Sequence, residues 1–242
     1  MPTSDEIRDK DFLKKFTLKL TGEAIGKKGI NVAKVEYAAG EIAAVCAGPL
    51  REISIVVGGG NIVRGRELSA YGIREEAADY MGMTATIINA IILQETLEGL
   101  GVQTRIMTAS DYKAVAEPYI RRRAIRHLGK ERVVILAGGI GSPGFSTDMA
   151  AIVRAKELGA NAVLKGTTVA GVYDKDPKKK NAKLLPEISN DEALARHLAI
   201  MDAAALAHAG ANKIPIIVFN FFEQGNLQKL VTGANIGSII CD

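Results

Sequence analysis

The sequence predicts an α/β protein whose central sheet is mainly parallel and covered by helices on both faces. Three observations carry that expectation. Short β-rich runs alternate with longer stretches of helical periodicity along the whole chain. Most of the β-rich runs are continuously apolar rather than alternating, as in strands buried on both sides. Glycines follow the helical patterns, at Gly101, Gly159 and Gly210, where a left-handed residue can end a helix.

Taken in order, residues 1–15 are charged throughout, lack the apolar core of a signal peptide, and are expected to form an N-terminal extension. A single domain is expected over 16–242, softly divided near Lys130 into lobes of about 16–130 and 131–242. The first strand covers 16–20 and sets Thr17 and Lys19 on one face by alternation. Further strands are expected at 53–57, 104–107, 133–136, 162–165 and 216–219, and helices at 32–47, 77–100, 148–158 and 191–208. The polar stretch from Tyr173 to Pro186 reads as a surface turn or hairpin.

Composition narrows the function. Of 242 residues, 48% are apolar and 24% charged, which excludes disordered and fibrous classes. A net charge of +4 suits a polyphosphate ligand but is too small to argue for nucleic acid. Arg121, Arg122, Arg123 and Arg126 have no interleaved aromatics and read as a solvated helix face or an oligomer contact. Cys46 and Cys241 cannot build a disulfide framework, and no apolar run approaches the ~20 residues needed to span a bilayer. A soluble cytoplasmic protein without membrane or nucleic-acid partners is expected. The three histidines lack metal-ligand spacing, and no G-x-S-x-G elbow is present.

Four segments carry candidate chemistry, each directly after a strand. Gly58-Gly59-Gly60-Asn61 would let a bound group approach the backbone, with Arg64 as a planar charged donor for phosphate; the alternative is an ordinary strand-to-helix turn. The spacing is not the G-x-G-x-x-G fingerprint. Lys19-Leu20-Thr21-Gly22-Glu23 ends the first strand, where α/β proteins place ligands. It misses the P-loop pattern, because only three residues separate Gly22 from Gly26 and Lys28 stands where Ser or Thr is required. The loop from Gly138 to Asp148 is longer than a simple turn needs, and Ser146, Thr147 and Asp148 could cap the next helix, touch a ligand, or do both. Lys165 ends a strand as Lys19 does, so two lysines could converge on one sheet edge. After it, Thr167 offers a hydroxyl, Tyr173 a flat face for a base and Asp176 a ribose or metal contact.

Together with Asp79-Tyr80-Met81-Gly82-Met83 and Ile200-Met201-Asp202, and in this order, the segments resemble the amino-acid-kinase superfamily and, within it, the bacterial UMP-kinase branch. The resemblance covers the chain from about Phe16 onward. It implies a three-layer α/β/α sandwich and transfer of the ATP γ-phosphoryl group to UMP, in pyrimidine biosynthesis, with Mg²⁺ carried mainly by the ATP phosphates. It also implies a homohexamer activated by GTP and inhibited by UTP, with the first lobe on the acceptor side and the second on the ATP side.

By position the resemblance puts Lys19, Leu20, Thr21, Gly22 and Gly60 along the ATP phosphates and Arg64 between the nucleotides. Thr167, Tyr173 and Asp176 take the ATP nucleoside. Gly59 and Asp79 hold UMP, Asp79 by its ribose, and the loop of Ile140, Gly141, Ser142, Pro143, Gly144, Phe145, Ser146 and Thr147 closes around uridine. Lys19, Lys165, Asp148 and Asp202 form the catalytic set. The chain departs from the pattern with Thr21 for a usual serine, Ile140 for threonine, Ser142 for asparagine and Gly144 for phenylalanine, and the loop changes bear on base selectivity. Two rivals are a related kinase acting on a carboxylate, opposed by Asp79 with Met81-Gly82-Met83, and a nucleotide sensor without turnover, opposed by the intact charged set.

Overall fold

The computed structural model describes residues 2–198 and 200–242. Its centre is β1 (Lys15–Leu20), which pairs in parallel with β2 (Glu52–Val57) on one side and with β6 (Ala162–Thr167) on the other. Beyond β2 lie β5 (Val133–Ala137), β3 (Thr104–Thr108) and the short β4 (Glu117–Pro118), all parallel. Beyond β6 lie parallel β10 (Ile216–Asn220), then β11 (Ser238–Ile240), antiparallel to β10, and β9 (Glu187–Ile188). The chain first builds away from β1 toward β3 and then crosses back to β6. The carboxyl ends of β1, β2, β5 and β6 therefore border a crevice at the point where strand order reverses, the usual ligand position in such sheets.

Burial follows from the pleat. Phe16, Leu18 and Leu20 point into one core layer, under α2 (Val32–Cys46), α4 (Glu75–Gly99) and α9 (Asn226–Val231). Val56, Leu136, Val163 and Val218 point into the other, under α5 (Arg121–Leu128), α6 (Thr147–Leu158) and α8 (Ala203–Ala211). These are the three layers, and strands covered twice read as unbroken apolar runs. On β1 the second face carries Thr17 and Lys19 instead of aliphatics. The Thr17 hydroxyl meets that of Ser54 on β2 at 2.8 Å, so the buried polar atoms satisfy each other.

Residues before Phe16 pack onto the domain. Helix α1 (Ser4–Arg8) starts with a Thr3–Glu6 capping box, and Ile7 and Leu13 lie buried in the first core layer. The Arg51 guanidinium donates to the carbonyls of Leu13 (2.8 Å) and Val231 (2.7 Å), tying this segment to α9.

The expected helix over 191–208 is two helices. Ser189 caps α7 (Asn190–Ala195), His197 takes a left-handed φ of 50°, and Asp202 caps α8 through the Ala205 amide at 2.8 Å. Apolar residues continue across the break, which is why periodicity alone misses it; the capping side chains decide it. Gly210 lies within α8 and does not stop it, whereas Gly159 ends α6 in the left-handed conformation with φ 71°. The polar stretch after Val172 is a hairpin, β7 (Val172–Tyr173) with β8 (Leu184–Leu185). A five-residue helix, α3 (Gly65–Ser69), follows the triple glycine at a distance rather than starting on it, so that turn is not a helix N-terminus.

The triple glycine touches α4 closely. A Cβ on Gly59 would stand 2.6 Å from the Gly82 carbonyl oxygen and 2.9 Å from the Ala85 Cβ. Gly59→Ala is therefore expected to destabilise the fold by about 1–3 kcal/mol, read by urea denaturation; an unchanged midpoint would show that α4 can move away freely.

Candidate active site

Lys19 on β1 and Lys165 on β6 are direct register partners, and both are almost fully buried. Between them stands one carboxylate. Asp148 Oδ1 is 2.8 Å from Lys19 Nζ, and Asp148 Oδ2 is 2.5 Å from Lys165 Nζ. Asp148 is the second residue of α6, whose N-cap Ser146 accepts the amides of Asp148 and Met149 at 3.0 Å each. A negative side chain suits that helix end, so the helix dipole and the lysines hold it together. Burial by itself would push the Asp148 carboxyl up, but Lys19 and Lys165 outweigh it and keep its pKa below the ordinary 3.8. Burial lowers the Lys165 ammonium below its ordinary 10.5, opposed in part by Asp148. The trio keeps one positive charge in excess at the crevice.

The glycine turn after β2 forms the next wall. The Gly58 amide donates to the Leu20 carbonyl at 2.9 Å, which joins it to the end of β1. Gly22 and Gly59 are crowded by their neighbours, whereas a Cβ on Gly60 would meet nothing within 4 Å. Gly60 is thus the glycine of this turn with room for a ligand against its backbone. Arg64 Nε donates to the Gly60 carbonyl at 3.0 Å, and its exposed guanidinium reaches Glu23 at 3.7 Å. Thr21 lies half-buried at the end of β1, beside buried Leu20 and Gly22.

The loop after β5 is anchored at three points. The Gly138 amide donates to Thr86 Oγ1 on α4 at 2.8 Å, and the Gly144 amide to Asp79 Oδ2 on α4 at 2.6 Å. At its end the Ser146 hydroxyl donates to the Asp202 carboxylate. Gly141 and Gly144 have φ of 93° and 82°, conformations in which a side chain is strained. Ser142 and Phe145 are exposed, Pro143 and Thr147 are half-buried, and Ile140 packs on the second core layer. The Asp202 oxygens bond α8 and Ser146 and pair with neither lysine directly, while its charge favours the ammonium of Lys165.

On the other side of β6 lies a cleft of about 480 Å³ lined by Thr167, Tyr173, Asp176, His197, Ile200 and Val218 among others. It brings together the three residues of the fourth segment. The Thr167 hydroxyl is already engaged within the turn, with the carbonyls of Val169 (2.8 Å) and Phe219 (3.2 Å).

Two paired lysines stand beside a glycine turn, with a cleft on one side and a long anchored loop on the other, an arrangement of positive charge and backbone amides that suits phosphate groups. Residues 14–220 match the model of the amino acid kinase family. The chain belongs to that family. It is 50% identical over 223 residues to a uridylate kinase of Helicobacter hepaticus, covering 90% of this chain and 94% of that one. Its fold superimposes on the UMP kinase of Bacillus anthracis with a TM-score of 0.90, at 37% identity and over 95% of this chain and 96% of that one. The UMP kinase of Ureaplasma parvum follows at 0.89, with 31% identity and coverage of 95% and 99%.

The site has polar anchors that sequence reasoning did not single out. Thr86 and the buried Asn89 of α4 hold Gly138 and Gly58, the latter at 2.7 Å. The available signal was polar residues at helical spacing, Asp79, Thr86 and Asn89, along the inward face of a long helix. Among the described residues no group of three or more His, Cys, Asp or Glu side chains could hold a metal ion, and the Asp148 and Asp202 oxygens are engaged as above. Among the described residues no helix is long and apolar enough to cross a membrane.

Because its folded pKa is depressed, Asp148 contributes stability that is complete above 3.8 and is lost as pH falls through the folded value. Asp148→Asn leaves two buried ammonium groups facing each other without a counter-charge. The expected result is a loss of about 3–5 kcal/mol at neutral pH and a shallower loss on acidification, both read by urea denaturation across pH. Wild-type stability at neutral pH in the variant would sink this account of the trio.

Proposed function

We propose that this kinase transfers the γ-phosphoryl group of ATP to the phosphate of UMP, giving ADP and UDP for pyrimidine nucleotide supply in the cytoplasm. The observation that carries the reading is the Lys19–Asp148–Lys165 trio at the crevice between the cleft and the acceptor loop. A UMP phosphate oxygen attacks the γ-phosphorus, the bond to the β,γ-bridging oxygen breaks, and ADP leaves with that electron pair. The acceptor is already anionic, so no general base is needed. Catalysis is in-line positioning and positive charge on the transferring oxygens. Near an effective ε of 20, a lysine ~4 Å from one unit charge interacts by roughly 4 kcal/mol before desolvation.

Lys19 and Lys165 stabilise the transferring group, and Asp148 aims both ammoniums without cancelling them. Leu20, Thr21, Gly22 and Gly60 line the ATP phosphates, and Arg64 reaches phosphate between the nucleotides. Thr167, Tyr173 and Asp176 receive the nucleoside of ATP, Tyr173 by stacking. On the acceptor side Asp79 reads the ribose, the 140–147 loop closes over uridine, and Gly59 contributes backbone alone, since α4 fills its side-chain space. Asp202 acts by holding Ser146 at the loop's end. Mg²⁺, carried by the ATP phosphates, supplies further charge neutralisation there.

The family resemblance also supports a homohexamer, with GTP activation and UTP inhibition. Exposed Tyr80, Met81 and Ile88 on α4 offer an apolar face suited to self-association.

The test is ADP release from ATP and Mg²⁺ with UMP, CMP, dUMP and acetylglutamate as separate acceptors. Strong turnover with UMP is expected; none, in folded protein, would overturn the assignment. Lys19→Ala is expected to abolish turnover while UMP binding survives, and a retained kcat would remove Lys19 from the mechanism. Arg64→Ala should raise KM for the nucleotides without unfolding the protein, so unchanged KM values would show the arginine to be misassigned.

A further inference from the structure

Asp79, Thr86 and Asn89 are separated by seven and three residues, which aligns them on one stripe of the long helix α4. Asn89 is fully buried and Thr86 nearly so. The Asn89 amide nitrogen donates to the Gly58 carbonyl and to Asn61 Oδ1, both at 2.7 Å, and Asn61 Nδ2 returns a bond to Asn89 Oδ1 at 3.2 Å. Two side-chain amides bonded in both directions have a restricted relative orientation. Asn61 also donates to the Gly29 carbonyl at 3.1 Å, and it follows Gly60, the glycine with open space. Thr86 is directional in another way. Its hydroxyl proton goes to its own helix, at the Met83 carbonyl (2.6 Å), so a lone pair faces the Gly138 amide.

We infer that α4 positions the two halves of the site relative to each other: Asn89 sets the glycine turn at 58–61, and Thr86 sets the origin of the loop at 138–146. The inference rests on the phosphoryl-transfer reading. One rigid element then fixes the separation of the glycine turn, which meets both nucleotides through Gly59 and Gly60, from the acceptor loop, and in-line transfer depends steeply on such distances. A misplacement of about 1 Å lowers such rates by about 10²-fold. Buried polar pairs of this kind hold their geometry because an unmade bond in a dry environment is expensive. Neither residue is a catalytic residue; both act through the backbone they hold.

The test uses Asn89→Leu, Thr86→Val and Thr86→Ser, with Asn89→Asp as the second variant should Asn89→Leu fail to fold. Steady-state kinetics are measured with UMP and ATP, beside thermal unfolding and backbone hydrogen exchange. Asn89→Leu is expected to lower kcat by about 10²-fold and to speed exchange at 58–63 but not at 138–146. Thr86→Val is expected to raise KM for UMP several-fold with ATP little affected and to speed exchange at 138–146, and Thr86→Ser to restore both. Folded variants with lower melting temperatures but wild-type kcat, KM and loop exchange would overturn the inference, as would identical kinetic signatures from both positions. If the wild type fails to phosphorylate UMP, the functional reading falls, and the exchange patterns still decide whether α4 sets the two loops.

Discussion

Two ammonium groups and one carboxylate, buried together at the end of a parallel strand pair, are the constraint around which this structure is arranged. Each of these ions alone would be costly to bury. Together they are tolerable only if Lys19 and Lys165 stay in register across β1 and β6 and α6 starts directly above them. The trio therefore demands the strand-order reversal at β1, which makes β6 its neighbour. It also demands a long connection after β5, because α6 must begin over β1 and β6 and not over β5. The excess positive charge left over is what a polyphosphate would neutralise.

The loops around this centre differ in why they contain glycine. Gly60 faces open space, whereas Gly59 is small because α4 presses on it. Gly141 and Gly144 adopt left-handed backbone that lets a long loop fold back and deliver its Gly144 amide to Asp79. Helix α4 is the common partner of the glycine turn and the long loop, and its polar stripe stands where a purely structural helix would carry aliphatics.

Much of the fold was legible because double burial writes a plain signal. Strands such as β2 and β5 are apolar at nearly every position, and helices such as α2 and α6 start on capping side chains, Asn31 and Ser146. Elements held by few residues were not legible: β9 and β11 are two or three residues long and exist because neighbours offer free backbone edges. The break between α7 and α8 was missed because alanines and leucines continue through it, while Ser189 and Asp202 compete locally for backbone amides. In the site, Lys19, Asp148 and Lys165 were visible as charges in apolar or capping positions. Asn89 was not, since a single asparagine in a helix ordinarily faces water.

By itself the sequence determined the layered α/β class, the strand ends that carry glycine and lysine, and the family motifs in their order. Those properties depend on local periodicity and on residue types that tolerate few conformations. Only the tertiary structure decided which lysine faces which, that one carboxylate serves both, that Arg64 leans on the Gly60 carbonyl, and that the Asp202 oxygens bond α8 and Ser146. Such pairings join residues far apart in the chain, and strand register and helix docking, which no local pattern encodes, bring them within hydrogen-bonding distance.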